Sequence, residues 1–180
     1  GKTWLALVTT AECLTAKEPK PVLFIDFEDD GTEVSKRLVQ LGVPESIVDD
    51  PKLFAYLNPD VALGTPSDRE AFERLISRRF ALAVIDGVTE SMTLFGLAGK
   101  DNDDVATWQR VLPKTIARTT GAAVICIDHV TKDADSRGRF ALGGQHKIAG
   151  LDGAGLIVDP AKPFAPGLVG EASVRVGKDR

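Results

Sequence analysis

The stretch Ala81-Leu82-Ala83-Val84-Ile85-Asp86 is an apolar run that ends in an aspartate. Its apolar residues do not alternate with polar ones, which indicates a strand covered on both faces. The aspartate then stands at the carboxyl end of that strand. Three further apolar runs have the same character, at residues 22–25, 53–57 and 122–127. The chain therefore contains at least four strands of the buried, parallel-sheet type.

Helical patterns separate these strands. They cover about residues 2–17, 31–42, 67–79 and 102–119. Pro113 is expected to kink the last of them, because proline cannot donate the backbone hydrogen bond of a helix interior. Strands that alternate with helices of this length predict right-handed crossovers and a parallel sheet. The fold class is therefore α/β, doubly wound.

The pattern changes from about Gly153 onward. Residues 154–158 and 172–176 predict two more strands, joined by a segment rich in proline and glycine at residues 160–170. We expect these strands to form an antiparallel extension.

Composition limits the kind of protein this can be. With 180 residues, of which 43% are hydrophobic, the chain is expected to form a single domain, residues 1–180, with a sizeable core. No apolar run is long enough to span a bilayer, so we expect a cytoplasmic protein with no membrane partner. Cys13 and Cys126 lie in apolar stretches and are expected to be reduced, buried thiols. A net charge of −4 argues against coating DNA by bulk electrostatics, so any nucleic-acid contact must come from loops.

The first three residues carry a phosphate-binding signal. Gly1, Lys2 and Thr3, followed by a helical run, match the second half of the pattern GxxxxGK[ST]. In such a loop the backbone amides and the lysine hold phosphate oxygens, and the threonine hydroxyl binds magnesium. A tripeptide can also occur by chance at an exposed terminus. The acidic residues at the strand ends favour the functional interpretation.

Two strand ends supply these carboxylates. Ligands bind along the carboxyl edge of a parallel sheet, where Asp86 could hold magnesium opposite Thr3. The alternative is a turn or cap aspartate. The strand at residues 22–25 leads into a second acidic group, in which we choose Glu28 as the base that deprotonates the attacking water. We interpret Asp26, Asp29 and Asp30 as strand-end or helix-cap residues.

The next strand leads into His129, the candidate sensor of a γ-phosphate, although a lone histidine is often only structural. A polar, glycine-containing segment follows it. Its four basic side chains, the candidate contacts to nucleic-acid phosphates, are Lys132, Arg137, Arg139 and Lys147. The same composition would also suit a solvated surface loop.

The chain ends in a second basic group. Lys178 and Arg180 have one residue between them, so on a strand both would point the same way. Such a pair can reach the γ-phosphate bound to a neighbouring subunit. An ordinary charged terminus is the alternative.

Together, GKT, VLFIDFEDD, LAVIDG, VICIDHVTKD, RGRFALGGQHK and VGKDR resemble the RecA-like ATPases, and among them the hexameric replicative helicases of the plasmid RepA and DnaB type. The resemblance covers nearly the whole chain. It implies a RecA-like sheet, a homo-oligomeric ring, ATP and Mg²⁺ bound between subunits, and single-stranded DNA in a central channel.

Residue roles also follow from the resemblance. It makes Lys2 and Thr3 the Walker-A pair, Glu28 the catalytic glutamate, Asp86 the Walker-B aspartate and His129 the sensor. Lys178 and Arg180 match a K-x-R finger that acts in trans. Residues 89–104 correspond to a first inner loop and residues 132–142 to a second.

The sequence departs from this pattern at its start. The first glycine of the loop, its variable residues and the preceding central strand are not in the chain, so we expect a RecA-like domain truncated at the N-terminus and also at the C-terminus. The segment at residues 89–100 carries only one cation, which weakens the case for a DNA contact there.

Three functions compete at this point. The first is an ATP-driven motor on single-stranded DNA, such as a helicase. The second is a RecA-like switch or loader that binds a protein partner without translocating. The third, a small-molecule phosphotransferase, would need an arginine-rich lid, and residues 44–66 contain no arginine.

Overall fold

A computed structural model of the chain describes residues 1–28, 30–59, 65–129, 145–162, 164 and 167–179, without the side chains of residues 145 and 146. Its helices are α1 (Lys2–Leu14), α2 (Gly31–Gln40), α3 (Glu45–Val48), α4 (Pro66–Ile76), α5 (Val88–Leu94), α6 (Asn102–Val111), α7 (Pro113–Thr120) and α8 (Gln145–Ala149). Its strands are β1 (Val22–Asp26), β2 (Phe54–Leu57), β3 (Leu82–Asp86), β4 (Ala123–Ile127), β5 (Gly155–Lys162) and β6 (Glu171–Lys178).

The first four strands form one parallel sheet in the order β2-β1-β3-β4. Strands β5 and β6 form a separate antiparallel pair. This confirms the doubly wound α/β class and the antiparallel C-terminal strands. All four predicted parallel strands are present.

Apolar residues on both faces of the sheet explain the unbroken apolar runs. On one face, Leu23 and Ile25 pack with α4, α5, α6 and α7. On the other face, Val22 and Phe24 pack with α1, α2 and α3. Because successive side chains of a strand point to opposite faces, a strand with helices on both sides is apolar at every position.

The helix boundaries differ from prediction where turns interrupt the pattern. The predicted helix at residues 102–119 is two helices, α6 and α7, which meet where Pro113 opens α7. Helix α5 and the start of α6 lie in the segment, residues 89–104, that the resemblance assigns to a first inner loop, so about half of that segment is helical. Helix α5 is stabilised by packing against the rest of the protein. Its Met92 is fully buried, and Trp108 Nε1 donates to Ser91 Oγ at 2.8 Å.

Strand β4 is an edge strand among the strands that the structure describes. A groove of about 480 Å³ lies along it, between β4 and β5, lined by Val124, Cys126, Leu156 and Lys2 among others. An edge of this kind has unpaired backbone groups that could pair with a further strand.

Cys13 and Cys126 are free thiols, as predicted, but both are half-buried rather than fully buried. Burial raises the pKa of Cys126 to about 12, so its thiol stays protonated. Within the described part of the chain, no helix is both long and apolar enough to cross a membrane.

Candidate active site

The carboxyl ends of β1, β3 and β4 bring the predicted site residues together. Asp26 and Asp86 are paired in the register of β1 with β3, and they are only 1% and 2% exposed. Strand β4 ends beside them and is followed by Asp128 and His129. The predicted carboxylate edge therefore exists.

Asp26 shapes the turn that carries the predicted base. Its Oδ1 accepts from the backbone N–H of Glu28 at 2.9 Å, and its Oδ2 accepts from the Tyr56 hydroxyl at 3.3 Å. Asp30 is the N-cap of α2 and accepts from the N–H of Glu33. These are the strand-end and cap positions that the sequence predicted for Asp26 and Asp30, whereas Asp29 lies outside the described residues.

Asp86 is the most perturbed carboxyl of the site. Burial is the main cause that raises its pKa to about 6, and the nearby Thr3 side chain, placed to hydrogen-bond to it, partly offsets this. The neighbouring charges of Glu28 and Asp26 raise the pKa further. Asp86 Oδ1 is buried with no hydrogen-bond partner among the described residues. Such an oxygen is available to bind a cation.

The GKT residues open α1 against this carboxyl. Gly1 is the N-cap of the helix, and Lys2 and Thr3 form its first turn. The N–H groups of a first helical turn have no partners within the helix, and with the helix dipole they favour an anion. Lys2 is half-buried and lines the groove beside β4. The helix N-terminus with Lys2 and the unpartnered carboxylate oxygen of Asp86 thus lie close together, as the predicted site requires.

Glu28 and His129, the predicted base and sensor, are in direct contact. His129 Nε2 lies 2.8 Å from Glu28 Oε1, a hydrogen bond between residues 101 positions apart. The Glu28 side chain is 30% exposed and that of His129 is 53% exposed. Both remain accessible to water and to a ligand.

Glu90, on α5, lies beside the candidate site, and the sequence interpretation did not include it. Its Oε2 is buried and finds no hydrogen-bond partner in the described part of the chain. Glu90 Oε2 and Glu28 Oε1 both occupy the space that a side chain would need on Gly87. The available signal was the spacing Asp86-Gly87-x-x-Glu90 after the strand, in which the glycine leaves room for two carboxylates.

Lys147 departs from its predicted role as a DNA contact. Its ammonium lies 3.0 Å from Asp128 Oδ2, and the two side chains are only 7% and 15% exposed. The backbone carbonyl of Lys147 accepts from Gln109 Nε2 at 2.8 Å, and Thr89 Oγ1 donates to Asp128 Oδ1 at 3.1 Å. This burial does not fit a phosphate contact, because the cation already has a buried carboxylate partner.

The C-terminal cations are only partly described. Lys178 Nζ donates to the carbonyl oxygens of Ala149 and Leu151 at 2.9 and 2.7 Å, at the end of α8. Arg180 lies outside the described residues, and so do Lys132, Arg137 and Arg139. The finger in trans and the loop contacts to DNA stay predictions.

The burial of Asp86 predicts a pH-dependent stability. The folded protein keeps the Asp86 proton to about pH 6, whereas the unfolded chain loses it near pH 4, so stability falls as pH rises through this window. Asp86→Asn has no charge to bury. It should therefore be more stable than the parent above pH 6, by on the order of 3 kcal/mol, and equal to it below about pH 4.

Urea unfolding of both proteins from pH 3.5 to 8 checks this expectation, without nucleotide or divalent cation. A stability difference that stays constant across this range would contradict the assignment of the shift to Asp86.

Comparisons with known proteins agree with this geometry. The chain matches the AAA domain family over residues 1–135. The crystal structure of a KaiC-like protein from the hyperthermophilic archaeon Pyrococcus horikoshii OT3 superposes with a TM-score of 0.63, at 10% identity, over 100% of this chain and 74% of that one. A search of curated protein sequences gives no match. The family match spans three quarters of the chain, so the protein belongs to the AAA domain family and carries a RecA-like P-loop ATPase domain.

Proposed function

We propose that the protein hydrolyses ATP with Mg²⁺ and couples hydrolysis to single-stranded DNA, as the motor domain of a replicative helicase or a related DNA ATPase. The observation that carries the proposal is the meeting of Thr3, Asp86 and Glu28 at one sheet edge, with His129 in contact with Glu28. These groups come from four separate segments of the chain. Residues that served only as turns and caps would have no reason to converge in this way. The convergence therefore supports a phosphoryl-transfer site.

The residues fit both ATP and Mg²⁺. The Thr3 hydroxyl and the Asp86 carboxylate are oxygen donors, which Mg²⁺ prefers, and Asp86 Oδ1 has no other partner among the described residues. Lys2 and the first N–H groups of α1 would hold the phosphates. When bound, Mg²⁺ would neutralise charge on the phosphate oxygens.

Glu28 supplies the base. A carboxylate that is partly exposed, yet fixed by the turn that Asp26 organises, can accept a proton from a water molecule. His129 orients the Glu28 carboxylate through the hydrogen bond between them. Movement of His129 would therefore change the position of the base.

The hydrogen bond between His129 and Glu28 suggests how DNA could control hydrolysis. His129 directly precedes residues 130–144, which contain three of the predicted DNA contacts, Lys132, Arg137 and Arg139. A DNA strand bound there would act on His129 and, through it, on Glu28. The ring and the trans finger of Lys178 and Arg180 belong to the same proposal and concern a neighbouring subunit.

A switch or loader that binds a protein partner is the second candidate. The buried ion pair of Lys147 favours it, because that pair takes away one of the four predicted DNA contacts.

The ATPase rate of the protein with and without single-stranded DNA separates these functions. Stimulation by DNA supports the motor. Hydrolysis that DNA does not change supports the switch, and no hydrolysis with Mg²⁺ present would overturn the proposal.

Arg137 and Arg139 should contact the DNA backbone rather than the bases, because the sequence offers a glycine-containing loop there and no recognition helix. Replacing both with alanine should weaken single-stranded DNA binding about equally for all sequences. The dependence of log K on log salt should become flatter by roughly one to two units. Fluorescence anisotropy titrations at several salt concentrations measure this.

The matched control replaces two exposed cations elsewhere, Lys17 and Arg74, with alanine. This control should bind DNA as the parent does. A loss confined to particular DNA sequences would argue against backbone contact, as would an equal loss in the control.

A further inference from the structure

Asp128 is a largely buried aspartate that lies directly after β4 and directly before His129. Its Oδ1 accepts from the Thr89 hydroxyl at 3.1 Å and from the backbone N–H of His129 at 3.0 Å. Its Oδ2 accepts from the Lys147 ammonium at 3.0 Å. Both oxygens of the carboxylate therefore have donors, and these hydrogen bonds together fix its orientation.

The side-chain partners of Asp128 lie on two helices that pack against the rest of the fold. Thr89 is in the first turn of α5, and Lys147 is on α8. The backbone carbonyl of Lys147 accepts from Gln109 Nε2 on α6, and Gln109 is only 7% exposed. The Gln109 side chain also fills the space that a side chain on Gly150 would need, so the end of α8 lies close against α6.

His129 depends on this arrangement for its orientation. Its side chain is 53% exposed, so packing restrains it little, whereas its backbone N–H is bound to Asp128. The contact of the imidazole with Glu28 at 2.8 Å requires the chain to leave β4 in one direction. Groups that act in catalysis need support of this kind, because their positions must hold to within about 0.5 Å.

The burial of the ion pair also favours a role in geometry. The side chains of Lys147 and Asp128 are only 7% and 15% exposed. Two charges are costly to bury, and apolar residues of similar size are often at least as stabilising. Stability alone therefore does not account for an aspartate and a lysine at this place.

We propose that Thr89 and Asp128 are positioning residues for ATP hydrolysis, an inference that rests on the function proposed above. Asp128 fixes the direction in which His129 leaves β4, and His129 in turn orients Glu28. Without the Thr89 hydroxyl, Asp128 Oδ1 keeps one donor, and the carboxylate can turn about its bond to Lys147. His129 then loses its support, and the base loses its orienting partner.

Thr89→Val tests this role, because it removes the donor at nearly constant volume and leaves the ion pair in place. Without DNA, kcat should fall by roughly 3- to 10-fold, the factor that corresponds to one hydrogen bond, while KM for ATP stays unchanged. Thr89→Ser keeps a hydroxyl and should recover most of the rate. Thr93→Val is the matched control on α5, since it removes an exposed hydroxyl that donates to a backbone carbonyl, and its rate should equal that of the parent.

A double-mutant cycle separates positioning from a general loosening of α5. If Thr89 acts through His129, adding Thr89→Val to His129→Ala should lower kcat no further. A loss by the same factor in the parent and in His129→Ala would overturn the proposal, and so would an unchanged kcat in Thr89→Val.

Nuclear magnetic resonance of the imidazole rings provides a readout that needs neither nucleotide nor hydrolysis. The chain has two histidines, so His146→Gln identifies the signals of His129. In Thr89→Val these signals should move towards their positions in Glu28→Ala, where the partner of the imidazole is missing. They should stay in place in Thr93→Val. Signals in Thr89→Val that coincide with those of the parent would overturn the positioning role, whereas a parent without ATPase activity would instead overturn the proposed function.

Discussion

Glu28→Gln should slow ATP hydrolysis by a factor of about 10²–10⁴ while leaving ATP binding nearly intact. An amide cannot accept the proton of the attacking water, so the base is lost. The shape of the side chain is retained, and glutamine can still hydrogen-bond to His129, which Glu28 contacts at 2.8 Å. Binding should survive because the predicted phosphate contacts are Lys2 and the first turn of α1, which the substitution leaves in place.

Steady-state hydrolysis and an equilibrium titration with a fluorescent ATP analogue measure the two effects separately. Glu18→Gln, at an exposed position, is the matched control and should be unchanged in both. Turnover at the rate of the parent would remove Glu28 from the role of base and make Glu90 the next candidate. A loss of ATP binding would mean that Glu28 is needed to hold the nucleotide and not only to activate water.

Lys147→Met should lower the free energy of unfolding by about 3–5 kcal/mol, because it leaves the buried carboxylate of Asp128 without its cation. The Lys147 side chain is 7% exposed and its ammonium lies 3.0 Å from Asp128 Oδ2. Methionine keeps much of the volume of the lysine stem. The decrease in the free energy of unfolding therefore measures the loss of the charge rather than the creation of a cavity. A lysine that only contacted DNA would show a different result, namely weaker DNA binding at unchanged stability.

Urea unfolding measures the loss, and two further variants make it specific. Lys36→Met breaks the exposed pair with Glu33 and should change stability little, since exposed ion pairs contribute little. Adding Asp128→Asn to Lys147→Met should recover part of the lost stability, because the orphaned charge is then gone. Equal losses in Lys36→Met and Lys147→Met would contradict the buried pair.

The sheet was predictable because the residues of each strand show by themselves whether one or both faces of the strand are covered. Val22 to Ile25 must be apolar at every position when helices cover both faces, and this pattern is visible without knowing which helices they are. Asp86 was predictable for a related reason, since a parallel strand places its last residue at the ligand edge. Helix α5 was not predictable in this way, because its Ser91 accepts a buried hydrogen bond from Trp108, 17 positions away in the chain.

The sequence by itself determined the α/β class and the strands. It also predicted the start of α1 as a phosphate site and chose Asp86, Glu28 and His129 as candidate site residues. Each of these depends on residue type and on spacing to near neighbours. Only the tertiary structure decided that Glu90 joins Glu28 and His129, and that Lys147 is buried against Asp128. Such pairings join residues that are far apart in the chain, 101 positions in the case of Glu28 and His129. They depend on how the sheet and helices bring the strand ends together. A pattern in neighbouring residues does not predict this arrangement.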